Sequence, residues 1–292
     1  MANKKLLAMM LIISFIATLG AISAADTSSN DTQQDTTCQA SYADTTYNVQ
    51  GNENTTTVQS TEKSMKRINR TTQKSTKQAT EPVINYEELY TALNDGTDEY
   101  VTISLGGDED TYTVTQTITL NNAIKSLIIN GNGKTINGNN KFQFLKINHQ
   151  ANVVIENITV TQCYLSNDYG GAIFQKNGTL AIINSVFTNN TMNSSHYEGH
   201  GGVIAVNNST LEIINSTFTS NSIDDTQWGG FDGYGGAISI MGGNVSITDS
   251  TFTSNKAEYG GAIYWKSDES SNLEILNSTF EENGLGSKDW RE

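Results

Sequence analysis

The sequence is poor in several residue types on which common protein classes depend. Its 292 residues include only two cysteines, Cys38 and Cys163, and their positions follow no recognisable spacing pattern. This excludes a disulfide framework as the basis of the fold. The only proline, Pro82, marks the point where the folded part is expected to begin.

Positive charge is also scarce. Residues 81–292 hold 25 acidic and nine basic side chains, which gives a net charge of −16. Such a surface repels nucleic acid and anionic membranes, so neither is an expected partner. Beyond the first 25 residues, no apolar run is long enough to span a membrane.

The first 80 residues divide into two segments. Residues 1–25 combine Lys4 and Lys5 with an apolar run and a small-residue end, which predicts a secretory signal peptide. An uncleaved membrane anchor is the alternative. Residues 26–80 are rich in Thr, Ser, Asn and Gln, which predicts a disordered linker. We therefore expect a secreted or surface-displayed chain whose folded domain is 81–292. No cap follows the last strand in the sequence, so we expect either a longer protein or a partner that covers this end.

Four similar stretches make up much of this domain. They read GGAIFQKNGTLAIINSVFTNN at 170–190, GGVIAVNNSTLEIINSTFTSN at 201–221, GGAISIMGGNVSITDSTFTSN at 235–255 and GGAIYWKSDESSNLEILNSTFEEN at 260–283. Each copy opens with Gly-Gly, continues through alternating apolar residues and closes on Phe-x-x-Asn. Alternation with β-branched residues indicates half-buried strands, and a period of this length indicates a solenoid. The predicted fold is therefore all-β, with equivalent strands stacked in parallel around a shared core.

Two rows of polar residues accompany the apolar pattern. The first row is Asn184, Asn215, Asp249 and Asn277, and the second is Asn190, Asn221, Asn255 and Asn283. When coils stack, equivalent amides hydrogen-bond along the stack, as in cross-β structures. Both rows are therefore predicted to be structural ladders. Some Asn-x-Thr sequons begin at residues of these predicted ladders, where a glycan would disrupt the stacking. We therefore expect Asn54 and Asn69 in the linker to be better glycan acceptors.

A short helix is predicted before the first coil. Residues 85–94 are amphipathic, Asn85 suits the N-cap, and Glu87 and Glu88 fall in the first turn. A helix at this point would cover the open end of the solenoid, as terminal elements of repeat proteins do.

The Gly-Gly-Ala-Ile and Phe-x-x-Asn repeats resemble those of the chlamydial polymorphic outer membrane proteins. The chain looks most similar to the adhesin-like surface proteins of methanogenic archaea, and the resemblance covers roughly residues 83–284. It implies a right-handed parallel β-helix of the pectin-lyase-like type. It also implies surface binding, with a glycan or protein of another cell as the partner.

Enzymes are the main alternative, because pectin-lyase-like folds often carry polysaccharide lyases or hydrolases. The lyases resembling this fold use Ca²⁺ and an Arg or Lys base, but all three arginines lie outside the repeats. The tripeptide Gly199-His200-Gly201 matches a segment of polygalacturonases, although His200 takes the place of a tyrosine in the other copies. Asp224-Asp225 is the only adjacent Asp pair, and it lies in an insertion loop that does not fix the distance between carboxylates. No catalytic residue is therefore predicted.

The better candidate for binding is a row of residues beside the insertion loops. It contains the residues that directly precede the glycine pairs, the acids just before them and two loop aromatics: Tyr169, His200, Tyr234, Tyr259, Asp168, Glu198, Asp232, Glu258, Trp228 and Phe231. Exposed aromatics with nearby carboxylates can hold sugars or recognise proteins. The alternatives are a packing ladder over the glycine corner and a passive spacer within a larger surface protein. No cofactor is expected; Ca²⁺ on the carboxylates is possible, but no ligand spacing matches a known loop.

Overall fold

The structure of the chain is a computed structural model. It describes residues 81–194, 199–224, 233–266 and 271–285, together with the backbone of a short strand at 77–78. These residues belong to one compact unit, Arg67–Glu292. The predicted signal peptide and nearly all of the predicted linker lie outside the described residues. No helix within the described ranges is long and apolar enough to cross a membrane.

The one helix among these residues, α1 (Tyr86–Asn94), begins and ends close to the predicted limits. Asn85 caps it, because its side-chain oxygen accepts a hydrogen bond of 2.9 Å from the backbone N–H of Glu88. Leu89 and Leu93 are fully buried and belong to the same core cluster as the first strands. The amphipathic face of α1 therefore closes the N-terminal end of the core, as predicted.

All described strand pairs are parallel, and they form four sheets. The first sheet contains β1 (Lys77–Gln78), β2 (Tyr100–Ser104), β4 (Ile118–Thr119), β5 (Ser126–Asn130), β7 (Leu145–Ile147), β8 (Ala151–Glu156), β11 (Ile173–Ile183), β15 (Ile204–Ile214), β19 (Ile238–Met241), β20 (Val245–Thr248), β23 (Ile263–Lys266) and β24 (Leu273–Leu276). The second contains β3 (Thr111–Thr113), β6 (Thr135–Asn137), β9 (Thr159–Thr161), β12 (Val186–Thr188), β16 (Thr217–Thr219), β21 (Thr251–Thr253) and β25 (Thr279–Glu281). The third contains β10 (Tyr164–Ser166), β13 (Thr191–Asn193), β17 (Ser222–Asp224), β22 (Lys256–Ala257) and β26 (Gly284–Leu285), and the fourth β14 (Gly199–His200) and β18 (Gly233–Tyr234).

The coils stack in the register that the repeats predict. Leu180 pairs with Leu211 and Leu211 with Val245, while Phe187 pairs with Phe218 and Phe218 with Phe252. Successive coils are 27, 31, 34 and 28 residues long, measured between equivalent positions. The result is a parallel β-solenoid of about six turns, which confirms the predicted fold class.

Inside the second sheet, phenylalanines form a continuous stack. Neighbouring rings from Phe187 to Phe280 have centroids 5.1, 4.8 and 4.8 Å apart, with planes within 4° of parallel. These centroid distances lie within the range that stacked aromatic pairs prefer, and the in-register backbone repeats the geometry from coil to coil. The ring spacing also measures the distance between adjacent coils at this face.

The two ends of the described core differ in burial. The helix end is closed, whereas Ile275, Leu276 and Phe280 in the last coil are 41%, 48% and 42% exposed. Their equivalents one coil earlier include Ile247 and Phe252, which are fully buried. Burial in this fold therefore depends on a following coil as much as on the residue itself.

Candidate functional site

The structure places the residues that precede the glycine pairs in one row, which we call the aromatic stripe: Tyr169, His200, Tyr234 and Tyr259. Parallel bridges join Tyr169 to His200 and Tyr234 to Tyr259, and β14 and β18 pair His200 with Tyr234. The predicted register at these positions is therefore the one observed.

The rings of the aromatic stripe stack on one another. Their centroids are 5.4, 5.0 and 5.1 Å apart in chain order, and their planes differ by 28°, 16° and 17°. The faces of the two central rings are therefore occupied by neighbouring rings. A sugar ring normally stacks on an aromatic face, so a ligand along the centre of the stripe would meet ring edges and hydroxyl groups instead.

The aromatic stripe forms a second layer on the outside of the first sheet. Phe174, Ala205 and Ser239 occupy one register row of this sheet and are buried, although they lie outside the main core cluster. Tyr169 stacks on Phe174 with centroids 5.4 Å apart, and His200 Nδ1 lies 3.1 Å from Ser239 Oγ. The stripe therefore has a packing role in addition to any binding role.

His200 is the most enclosed member of the stripe, with 8% of its surface exposed. The glycines that follow it are required by the corner. Gly201 has φ of +72°, and a Cβ on Gly202 would lie 2.1 Å from the carbonyl oxygen of Gly236. A Cβ on Gly199 would also lie 2.7 Å from the Cβ of Ser194. Both glycines of the Gly-His-Gly tripeptide are therefore explained by the backbone and its packing, which favours a structural role for His200.

Exposure in the stripe is concentrated at its two ends. Tyr169 is 38% exposed and Tyr259 is 44% exposed, whereas Tyr234 is half-buried and contacts Tyr264 at a centroid distance of 4.6 Å. The groups that a partner could reach are thus the terminal tyrosines and the edges between them.

The acids of the candidate site do not form one cluster in the described part of the chain. Asp168 forms an ion pair with Lys146, and its second oxygen accepts a hydrogen bond of 3.0 Å from the N–H of Tyr169. Glu258 is half-buried beside Tyr259, and Asp224 ends β17. Glu198, Asp225, Trp228, Phe231 and Asp232 lie outside the described residues. Lys146 was not foreseen, because it belongs to a coil that precedes the clear repeats.

Metal binding by these acids would require several of their side chains to lie close together. Among residues 81–285, apart from the gaps in the description, no three His, Cys, Asp or Glu side chains come together as a metal site.

The second polar row forms a buried ladder, which we call the amide ladder: Asn190, Asn221, Asn255 and Asn283. In the first three, Nδ2 donates to the Oδ1 of the next asparagine, at 3.1, 2.9 and 2.9 Å along the ladder. Each Nδ2 also donates to a carbonyl of the preceding coil, such as that of Phe187 for Asn221 at 3.0 Å. Each Oδ1 in turn accepts from a backbone N–H of the preceding coil, so buried donors and acceptors are satisfied together.

The first polar row has a different role from the one predicted. We call it the corner row, and with its earlier member it consists of Asn157, Asn184, Asn215, Asp249 and Asn277. All five have φ between 48° and 54°, the left-handed region that asparagine and aspartate tolerate best among non-glycine residues. Within the described coils, one bond links two of the four residues of the predicted ladder, Asn215 Nδ2 to Asn184 Oδ1 at 2.7 Å. The row is solvent-facing and provides the turn between sheets rather than a ladder.

A row of serines between the corner row and the amide ladder, which we call the serine row, was missed by sequence reasoning. The hydroxyls of Ser216, Ser250 and Ser278 accept from the backbone N–H of the preceding serine at 3.2, 3.1 and 3.1 Å. Each also donates to the carbonyl two residues earlier, such as that of Ile214 for Ser216 at 2.8 Å. The signal was present, since serine follows the corner row in each of the four copies.

Comparison of the chain with protein-family models, with curated proteins and with solved structures finds no match. The pairings and registers above are those of a parallel β-solenoid and are compatible with a β-helix family. The resemblance to archaeal adhesin-like proteins stays a prediction.

Proposed function

We propose that the protein is a secreted or surface-displayed adhesin-like β-helix that binds a glycan or protein of another cell without catalysis. The solenoid would act as a rigid support, and the insertion loops at one corner would make the contact. The resemblance in the repeats and the predicted signal peptide support this assignment.

The observation that carries the proposal is the common origin of the two longest insertions. One leaves the third sheet after Asn193 and returns at Gly199, and the other leaves after Asp224 and returns at Gly233. Asn193 pairs with Asp224 and Gly199 with Gly233. Both loops therefore leave from and return to the same corner of the solenoid. The length of the chain varies at this corner, whereas the strands and ladders of successive coils keep one register. Variable loops on a fixed framework are typical of binding surfaces.

The aromatic stripe extends this surface. It begins where the loops end, because His200 and Tyr234 are the last residues of β14 and β18. Its terminal tyrosines are exposed, and Asp168 and Glu258 directly precede them. Tyrosines with adjacent carboxylates offer both apolar contact and hydrogen bonds to a hydroxylated or peptide partner.

The chain offers a matched variant for testing the loops. The short coil joins Asn255 to Tyr259 through Lys-Ala-Glu alone. Replacing residues 222–233 with Lys-Ala-Glu gives the longer coil the same connection, so the fold should be retained. Residues 26–292 and this variant would be incubated with immobilised pectin, cellulose and chitin and with whole cells, with and without Ca²⁺. A double variant, Thr251→Ala with Thr253→Ala on the second sheet, is the control for a surface change away from the corner.

We expect the parent and the control to be retained on at least one surface, and the loop-exchange variant to lose at least tenfold in retention. Unfolding in urea should show that all three proteins are folded. New reducing or unsaturated sugar ends would instead favour a polysaccharide hydrolase or lyase. Retention that is unaffected by the loop exchange would contradict the proposal, and no retention on any surface would favour a passive spacer.

A further inference from the structure

The corner row contains a second pattern beside its turn conformation. Asn157-Ile-Thr159, Asn215-Ser-Thr217 and Asn277-Ser-Thr279 are Asn-x-Thr sequons. Asn184 has Val186 at the hydroxyl position, and Asp249 has a carboxylate in place of the amide. Within the corner row, the sequons therefore occur on alternate coils, and the row's two members between them each lack one necessary group.

The amide ladder shows the opposite pattern. Two residues after its members come Met192, Ile223, Ala257 and Leu285. The first three side chains are buried, so this position faces the interior and holds no hydroxyl. None of the ladder asparagines is thus the acceptor residue of a sequon. The sequons of the corner row begin at residues on the outside of the coil, so a glycan there would not enter the buried amide ladder.

We propose that Asn157, Asn215 and Asn277 are acceptors for N-linked glycans, a modification that rests on the proposed secretion. In the transfer, Nδ2 of the asparagine forms a bond to C1 of an oligosaccharide carried on a lipid pyrophosphate. The bond from C1 to the pyrophosphate oxygen breaks, the lipid pyrophosphate leaves with the electron pair, and one Nδ2 proton is lost to a base. No oxidant or reductant is needed.

The geometry of the corner row suits this modification. Asn215 and Asn277 are exposed, and Asn157 is half-buried. The Nδ2 of Asn215 uses one proton for the bond to Asn184, and the glycosidic bond replaces the other proton. In the amide ladder, by contrast, Nδ2 of Asn221 uses both of its protons in buried bonds. The corner row therefore accepts a substituent at Nδ2 without losing its observed hydrogen bond.

The spacing of the sequons gives a second argument. Adjacent coils are 4.8–5.1 Å apart where the phenylalanines stack, and the sequon threonines begin strands of that same sheet. Glycans on every coil would be crowded at this distance. Alternate coils double the distance between attachment points, and alternation is the pattern that the row follows.

Each residue of these sequons also has a structural use. Asparagine suits the left-handed turn, and threonine suits a solvent-facing strand position. The middle residue is a member of the serine row in two sequons and the buried Ile158 in the first. The chain has further sequons, such as Asn208-Ser-Thr; the proposal concerns the corner row, where the same turn is present with and without the motif.

The test expresses the full chain in a eukaryotic secretory host, with the leader replaced by the host's signal peptide. Secreted protein is treated with a peptide N-glycosidase in heavy-oxygen water, which converts each formerly glycosylated Asn to labelled Asp. Peptide mass spectrometry then gives the occupancy of each position. We expect label at Asn157, Asn215 and Asn277 in most molecules, and none at Asn184 or in the amide ladder.

Two single substitutions sharpen the result. Thr217→Val should abolish label at Asn215 while leaving Asn157 and Asn277 labelled. Val186→Thr should create label at Asn184, where the turn is already present. The inference is overturned when secreted protein carries no label at the three corner asparagines, or when label at Asn215 persists in Thr217→Val.

The design separates this inference from the proposed function. The host signal carries the chain into the secretory pathway whatever its own leader does, so the absence of label counts against the acceptor assignment alone. Secretion by residues 1–25 and retention on surfaces are measured in separate experiments. A failure there, with labelled corner asparagines, would count against the adhesin assignment alone.

Discussion

The amide ladder and the corner row use the same residue for different purposes. In each copy the ladder residue follows the corner residue by six positions, as Asn221 follows Asn215. Asn221 is fully buried and its side chain takes part in four hydrogen bonds. Asn215 is exposed, has φ of 48° and donates one side-chain bond. The ladder therefore depends on the amide group, whereas the corner row depends on the backbone conformation that asparagine permits.

The one substitution in the corner row supports this distinction. Asp249 takes the place of asparagine and keeps the same conformation, with φ of 53°. Aspartate tolerates the left-handed region but cannot donate from its side chain at neutral pH. The amide ladder contains no such replacement, since a carboxylate there would place a buried acceptor against a carbonyl and the next Oδ1.

The strongest test of the comparison exchanges amide for carboxylate in both rows. We expect Asn221→Asp to lower the free energy of unfolding by roughly 3–5 kcal/mol, because it leaves an uncompensated charge in a buried network. Asn215→Asp repeats what Asp249 already shows and should stay within about 0.5 kcal/mol. Urea denaturation followed by circular dichroism measures both values.

The parent and both variants would be measured at the same pH and salt concentration. Equal losses for the two variants would contradict the distinction between the rows. If only Asn215→Asp lowered the free energy of unfolding, the corner row and not the amide ladder would depend on the amide group.

The fold could be predicted from the sequence because its signal is repeated. The Gly-Gly pairs, the alternation and Phe-x-x-Asn recur in one register, and only a stacked solenoid aligns Phe187, Phe218 and Phe252. The roles of the two asparagine rows could not be separated in this way, since both recur with equal regularity. The missing information was the direction of each side chain. Asp249 and the apolar residues after the ladder asparagines were signals of it.

The candidate site was less predictable than the fold. Register alone aligned Tyr169 with His200 and Tyr234. It did not show that Phe174, Ala205 and Ser239 form an outer surface beneath the rings, because their residue types share no pattern. Lys146 comes from a coil that lacks the repeat, so its ion pair with Asp168 had no signal. The aromatic stripe packs on the outer surface of the first sheet, and the repeat pattern of the sequence does not show which side chains meet in such a packing.

A smaller effect should separate backbone conformation from side-chain bonding in the corner row. Asn215→Ala should lower the free energy of unfolding by roughly 1–2 kcal/mol, because alanine is strained in the left-handed region. Asn215→Gly removes the same side-chain bond, but glycine adopts the left-handed conformation without strain. It should lower the free energy of unfolding by only about a few tenths of a kcal/mol. Thermal and urea unfolding give the difference. If glycine cost as much as alanine, the bond to Asn184 and not the turn would be the stabilising feature.

The smallest effect concerns the start of the amide ladder, where a thiol takes the place of an amide. The backbone N–H of Cys163 donates to Asn190 Oδ1 at 2.9 Å, as ladder residues do in later coils. Burial raises the pKa of the Cys163 thiol from 9.0 to about 12, and backbone hydrogen bonds to the sulfur oppose part of that rise. Because the folded pKa lies above the unfolded pKa, the stability due to the protonated thiol is complete below pH 9. It declines as the pH rises from about 9 to about 12.

Cys163→Ser removes this titration while keeping a small polar side chain. We expect the difference in free energy of unfolding between the parent and Cys163→Ser to fall by about 1 kcal/mol from pH 7 to pH 10. Tyrosines and lysines titrate in the same range, but they are common to both proteins and cancel in the difference. Parallel curves for the two proteins would mean that the thiol ionises as easily in the folded state as in the unfolded state. The first level of the ladder would then be open to water, and its burial would begin only at Asn190.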